Sequence, residues 1–361
     1  MSSTMQTLIA KVGKGEKGAK DLTYDEAKGA MRLLLESVAT PAQVGSFLVA
    51  MRIKSESVSE LAAFTAVARE YASPLPIPPR LGLVDIPTYA GKQDSWHVLL
   101  PAAIIAAAAS VPILLHGYDD VPGRLATATV AARLGIPIDL DPKRAADYLT
   151  KHGLAYLDIG LYHPIIFRFL ELRKELGVRS FFQPVSRMLN PSRAQVSIIG
   201  MSHPPYFEKI AEALRMLGTP RALILRGLEG EPELSISSVT KAIELREDRI
   251  MPLTLQPKDF DLPFERIEHL VSPGVDGEAE LITKILGNEV KGSQQEWVVM
   301  NAAMILYTGG KASSIRAALP LAQDTLASGA AKKKLGELVR GELVPEPDCG
   351  GLYADAWRGS D

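Results

Sequence analysis

The sequence has a single cysteine, Cys349, so one chain can form neither an internal disulfide nor a thiolate metal site. That scarcity fits a reducing compartment, and a cytoplasmic protein is expected. An excess of one charge is lacking as well: 40 Lys and Arg against 42 Asp and Glu give a formal net charge of -2. Whole-chain attraction to polyanions is thereby excluded, and any such affinity needs a local basic patch. The 6 histidines include no His-x-x-x-His pair and no Cys/His cluster, the spacings a transition-metal site uses. No Gly-x-Ser-x-Gly element is present, which removes the main cue for a serine hydrolase. Residues 1–10 lack the basic start and apolar core of a secretory signal. The longest apolar run, residues 98–115, is interrupted by Pro101, Ser110 and Pro112 and is rich in weakly apolar alanine. It is expected to form a buried helix followed by a strand, not a membrane span.

What is present divides the chain in two. At 361 residues it exceeds the size at which one core keeps growing. Three helices are predicted in the first seventy residues. Thr23 and Glu26 have capping-box spacing, with Ala27, Ala30, Met31 and Leu34 at i, i+3, i+4, i+7. Thr40-Pro41 gives an N-cap with proline at the first helical position, followed by Val44, Phe47, Leu48 and Met51. Ser57 and Glu60 repeat the capping box. Four prolines in residues 73–79 then forbid a helix and mark a linker. Beyond it, β-compatible runs at 83–86, 113–115, 196–199 and 222–225 alternate with helical stretches at 102–109, 206–217 and 297–307, the pattern of a mainly parallel sheet covered by helices. The expected division is a helical domain at 1–73 joined by part of 161–192, a proline-rich linker at 74–80, an α/β domain at 81–340 and a tail at 341–361.

Over roughly residues 5–335 this order of features resembles the anthranilate phosphoribosyltransferase family, glycosyltransferase family 3. The matching elements are the helical start, the proline linker, Asp85-Ile86, His116-Gly117, Tyr162-His163-Pro164, residues 173–179, Phe182, Asn190-Pro191, residues 230–245 and Asn301-Ala302-Ala303. The resemblance implies a small helical domain hinged to a larger α/β domain with a mainly parallel sheet, an architecture shared with pyrimidine nucleoside phosphorylases, and a homodimer formed through the helical part. Where the family carries a Gly-Thr-Gly-Gly-Asp phosphate loop, this chain has Pro87-Thr88-Tyr89-Ala90-Gly91-Lys92. The family's Asn-x-Ser-Thr helix start is replaced by Val98-Leu99-Leu100-Pro101, and Lys-His-Gly-Asn by Leu115-His116-Gly117-Tyr118, with Asp119 and Asp120 following. Its acidic Asp-Glu, which carries Mg²⁺, reads Pro232-Glu233.

Several candidate site residues follow. Tyr89, Gly91 and Lys92 stand at the phosphate loop, and His116 and Gly117 follow a strand. Arg173 takes the place of the family's acceptor-carboxylate arginine, where a planar guanidinium suits a pair of oxygens. Lys174 and Arg179 belong to a stretch, 168–193, with six basic residues against Glu171 and Glu175. The competing interpretations are an ordinary loop for 89–93, a satisfied core histidine for His116 and a solvated helix face for the basic stretch.

Two functions remain in view. One is a protein without the standard anthranilate activity, whose cleft binds a polyanion such as single-stranded nucleic acid. Residues 50–54, 86–89 and 202–204 resemble a divergent branch of the family associated with that binding. The other is an active phosphoribosyl- or pentosyltransferase with a rebuilt donor site, for which Mg²⁺ is the implied cofactor, Glu233 its surviving ligand and a phosphorylated small molecule the partner.

Overall fold

The computed structural model describes residues 4–15, 17–78, 82–118, 121, 123–203 and 205–341. Asp119, Asp120 and Cys349 lie outside these, as does the tail beyond Gly341.

Local sequence signals set the helical starts. Helices α2 (Tyr24–Leu35), α3 (Pro41–Lys54) and α4 (Val58–Glu70) each open on a complete capping box, from Thr23 and Glu26, Thr40 and Gln43, and Ser57 and Glu60. Reciprocal side-chain bonds satisfy amide groups that a helix start leaves bare. A fourth helix, α1 (Met5–Val12), precedes them. Its eight residues are too short for the apolar spacing to repeat convincingly in sequence, and it is held by burial of Met5, Leu8 and Val12.

Strands β1 (Val84–Thr88), β2 (Ile113–Gly117), β3 (Leu154–Asp158), β4 (Val196–Gly200), β5 (Arg221–Leu225), β6 (Thr240–Arg246) and β7 (Arg249–Leu255) form one sheet in the order β3-β2-β1-β4-β5-β6-β7. The first five pair in parallel, and β6 and β7 add an antiparallel edge. The apolar run at 98–115 resolves into the buried helix α5 (Leu99–Ala108) and β2, with α5 packed on the helix Ser293–Thr308. Among the described residues no helix is long and apolar enough to cross a membrane.

The two parts meet along an aromatic seam. Phe64 of α4 stacks on Phe181 at 4.3 Å, and Phe47 of α3 meets the same ring edge-on at 6.2 Å. Nearby, the Arg69 guanidinium donates twice to the Met188 carbonyl and His163 Nε2 donates to the Ala68 carbonyl at 2.8 Å. Burial holds the His163 imidazole down to about 4 from its ordinary value of 6.5. The folded value lies below the unfolded one, so the unfolded chain takes up the proton first as pH falls. Stability from this group is therefore complete above 6.5 and is lost as pH drops toward about 4, a change of about 3 kcal/mol. His163→Gln is expected to remove that part of the pH dependence in urea unfolding. Equal slopes for both proteins between these pH values would refute the assignment.

Candidate functional site

The carboxyl ends of the parallel strands open on a cleft between the two parts, the place where open α/β sheets bind ligands. Its cavity, about 200 Å³, is lined by side chains that include Arg52, Arg124, Arg173, Arg179 and Arg187, together with Tyr89, Tyr118, His203, Tyr206 and Glu229. Arg52 comes from α3, Arg124 follows β2, and the other three arginines sit on the 173–187 segment. Among the described residues, Arg52, Arg173, Arg179 and Arg187 have no carboxylate within ion-pair distance, and Arg124 has only Glu229, at 3.8 Å. Burial lowers the pKa of Arg179, and the neighbouring Arg173, Arg124 and Arg52 lower it further. Burial also lowers that of Arg187, which lies over the Tyr89 ring at 5.9 Å. Guanidinium groups stay protonated in such surroundings. The result is a concentration of positive charge, largely without ion-pair partners among the described residues, in a chain that is slightly acidic as a whole.

Beside the cleft, most backbone amides of residues 90–99 are occupied by the chain's own carboxylates, the Lys92 and Trp96 amides going instead to the Leu125 and Leu270 carbonyls. Glu231 Oε1 accepts from the Ala90 and Gly91 amides at 3.0 and 2.8 Å. Glu229 accepts from the Gln93 amide at 2.6 Å, the Ser95 amide at 2.9 Å and the Ser95 hydroxyl at 2.7 Å. Glu233 Oε1 accepts from the Val98 and Leu99 amides at 3.1 and 2.9 Å, capping α5 where no hydroxyl stands. Its other oxygen pairs with the Lys92 ammonium, which also donates to the Trp96 carbonyl and lies over the Trp297 ring. Both partners are fully buried, at 1% and 0% exposure.

Lys92 therefore does not face a ligand, contrary to expectation, because Glu233 draws it into the core. Mg²⁺ does not fit at Glu233 either: two amides and an ammonium already use both of its oxygens. Glu231 keeps one buried oxygen without a hydrogen-bond partner, and burial raises its carboxyl pKa. Among the described residues, no group of three or more His, Cys, Asp or Glu side chains is placed to hold a metal.

A second buried polar group lies beneath the cleft. His116 Nδ1 is 3.0 Å from the hydroxyls of both Tyr89 and Tyr162, which are 2.8 Å from each other. His116 Nε2 faces Asp85 at 3.4 Å. Tyr89 thus shows the cleft its ring while its hydroxyl turns inward, and His116 is a satisfied core residue. Gly117 is required by packing, since a Cβ there would stand 2.3 Å from the Thr88 carbonyl oxygen. Gly91, at φ +60, has its amide taken by Glu231. Lys174 donates to Glu171 at 2.5 Å. Of the sequence candidates, Tyr89, Arg173 and Arg179 reach the cavity lining together. Arg52 joins them from the 50–54 stretch, and Arg124 from a segment with no signal beyond the arginine itself.

The glycosyl transferase family helical bundle domain matches residues 6–72, and the family's α/β domain matches residues 82–332. An anthranilate phosphoribosyltransferase of Methanocorpusculum labreanum is 33% identical over 336 residues, 92% of this chain and 97% of the relative. That of Methanosphaerula palustris is 34% identical over 328 residues, 90% and 96% of the two chains. Among solved structures, the anthranilate phosphoribosyltransferase of Thermus thermophilus superimposes with a TM-score of 0.82 at 29% identity, covering 92% of this chain and 98% of the other. The Saccharomyces cerevisiae enzyme in complex with PRPP and Mg gives 0.81 at 18% identity, covering 94% and 98%, a likeness of fold.

Proposed function

The chain belongs to the glycosyl transferase family that includes the anthranilate phosphoribosyltransferases, and from that premise we propose that it is a phosphoribosyl- or pentosyltransferase with a rebuilt donor site. In this proposal arginine side chains hold the phosphate-bearing ligand in place of a glycine loop and a metal. The observation that carries it is the convergence of Arg52, Arg173, Arg179 and Arg187 on one small cavity with, among the described residues, no carboxylate paired to them. Guanidinium groups match phosphate oxygens in pairs. Fixed positive charge around a departing diphosphate is also the main resource such a transfer needs. The chain's own residues would supply that stabilisation, with Tyr89 and Tyr118 as the walls that orient a sugar or acceptor ring.

Calorimetric titration with phosphoribosyl diphosphate should show binding that does not require Mg²⁺. Arg187→Ala should weaken it by about tenfold or more, the usual scale for losing a charged hydrogen-bond partner. Binding that appears only with Mg²⁺, or that is indifferent to Arg187, would defeat the proposal. A single-stranded oligonucleotide is the informative competitor. If it binds instead, with a salt slope of roughly −0.7 per neutralised phosphate, the cleft serves a polymer and the transferase assignment fails.

A further inference from the structure

We propose that the amides of Gln93, Asp94 and Ser95 form a second anion subsite of the cleft, filled in the resting chain by the Glu229 carboxylate and taken over by a phosphoryl group of the ligand. The inference rests on the cleft assignment above and deepens it. Three amides and a hydroxyl converge on one carboxylate: Gln93 and Ser95 at 2.6 and 2.9 Å, the Ser95 hydroxyl at 2.7 Å and Asp94 at 3.3 Å. Converging backbone N–H groups of this kind are anion sites in general. Burial pushes the Glu229 carboxyl up, but donors from Gln93, Ser95 and Asp94 outweigh it and the net pKa is lowered. The subsite therefore holds negative charge well.

Glu229 differs from its two companions in being exchangeable. Glu231 and Glu233 are sealed at 1% and 0% exposure. The Glu229 side chain keeps 14%, and the residue lines the cavity beside Gly230. Its backbone is held at φ 60, ψ 8, a left-handed conformation that costs a residue with a Cβ and is relieved if the turn departs. Arg124 stands ready on the same side: it donates to the Glu229 and Gly91 carbonyls at 3.2 and 3.0 Å, and its Nη1 lies 3.8 Å from the carboxylate. An incoming phosphoryl group would find the amides and a guanidinium already placed. The ligand class that uses both halves of the cleft is a compact molecule with two anionic centres, a diphosphate or bisphosphate ester. One centre would sit on Arg179 and Arg187, the other on the amides.

The test uses the full chain, calorimetry and two probes, inorganic pyrophosphate and orthophosphate. Glu229→Ala should bind pyrophosphate about tenfold tighter than the native protein, one displaced set of charge-assisted hydrogen bonds, and should gain a second orthophosphate equivalent. Glu229→Gln, which keeps the side chain's size, should fall between the two and guards against a folding defect in the alanine variant. If native protein binds orthophosphate on its arginines but both variants bind pyrophosphate no better, the second subsite is overturned and the cleft assignment stands. If neither probe binds native or variant protein, both fall.

Discussion

Replacing Lys92 with methionine is expected to lower stability by about 3–5 kcal/mol, the usual cost of removing one partner from a buried ion pair. The ammonium is enclosed by Glu233, the Trp96 carbonyl and the Trp297 ring. Methionine fills similar volume but leaves the Glu233 charge facing only the amides of Val98 and Leu99. The effect should appear as a lower urea midpoint with little change in slope. Lys92→Met combined with Glu233→Gln should recover part of the loss, because the orphaned charge is then gone. Were Lys92 a ligand contact, the opposite pattern would be measured: an unchanged midpoint and weaker phosphate binding.

Phe181→Ala should be of similar size, about 3–5 kcal/mol, as for other fully buried phenylalanines. Its ring is the shared surface of Phe64, Phe47 and Phe182, and the first two belong to the helical part. We propose that part of residues 161–192 belongs structurally to that domain although the chain reaches it only after β3. Amide hydrogen exchange offers the discriminating readout. In Phe181→Ala, protection should fall in α3 and α4 before it falls in β1, β2 and β4. Uniform loss across the sheet would place the segment with the α/β domain instead.

The parts of the fold set by neighbouring residues could be read directly from the sequence. Three helix starts follow from hydroxyl and Glu or Gln side chains three positions apart, and the proline cluster at 73–79 enforces the break. The runs at 113–115, 196–199 and 222–225 fall inside β2, β4 and β5. Strand β3, with a tyrosine and a terminal aspartate, and the half-exposed hairpin of β6 and β7 carry weaker patterns, and α1 is too brief to declare itself. In the site, Arg173 and Arg179 could be found because they sit in a basic stretch. Lys92 could not be placed correctly, since its partner lies 141 positions away and nothing local to 89–93 indicates an inward lysine. The same separation concealed the role of Glu233, whose oxygens are committed by residues outside its own neighbourhood.

Glu229, Glu231 and Glu233, separated by Gly230 and Pro232, each accept from amides within residues 90–99, while the His97 amide goes to the distant Glu278. Spacing, as much as identity, therefore carries the information. Deleting Gly230 would bring Pro232 and Leu234 to the places of Glu231 and Glu233, emptying two anion seats at once and stranding Lys92. A point substitution changes one seat. This short segment should therefore accept changes of residue far more readily than changes of length, and a lineage that altered its length would have to rebuild the facing loop in the same step.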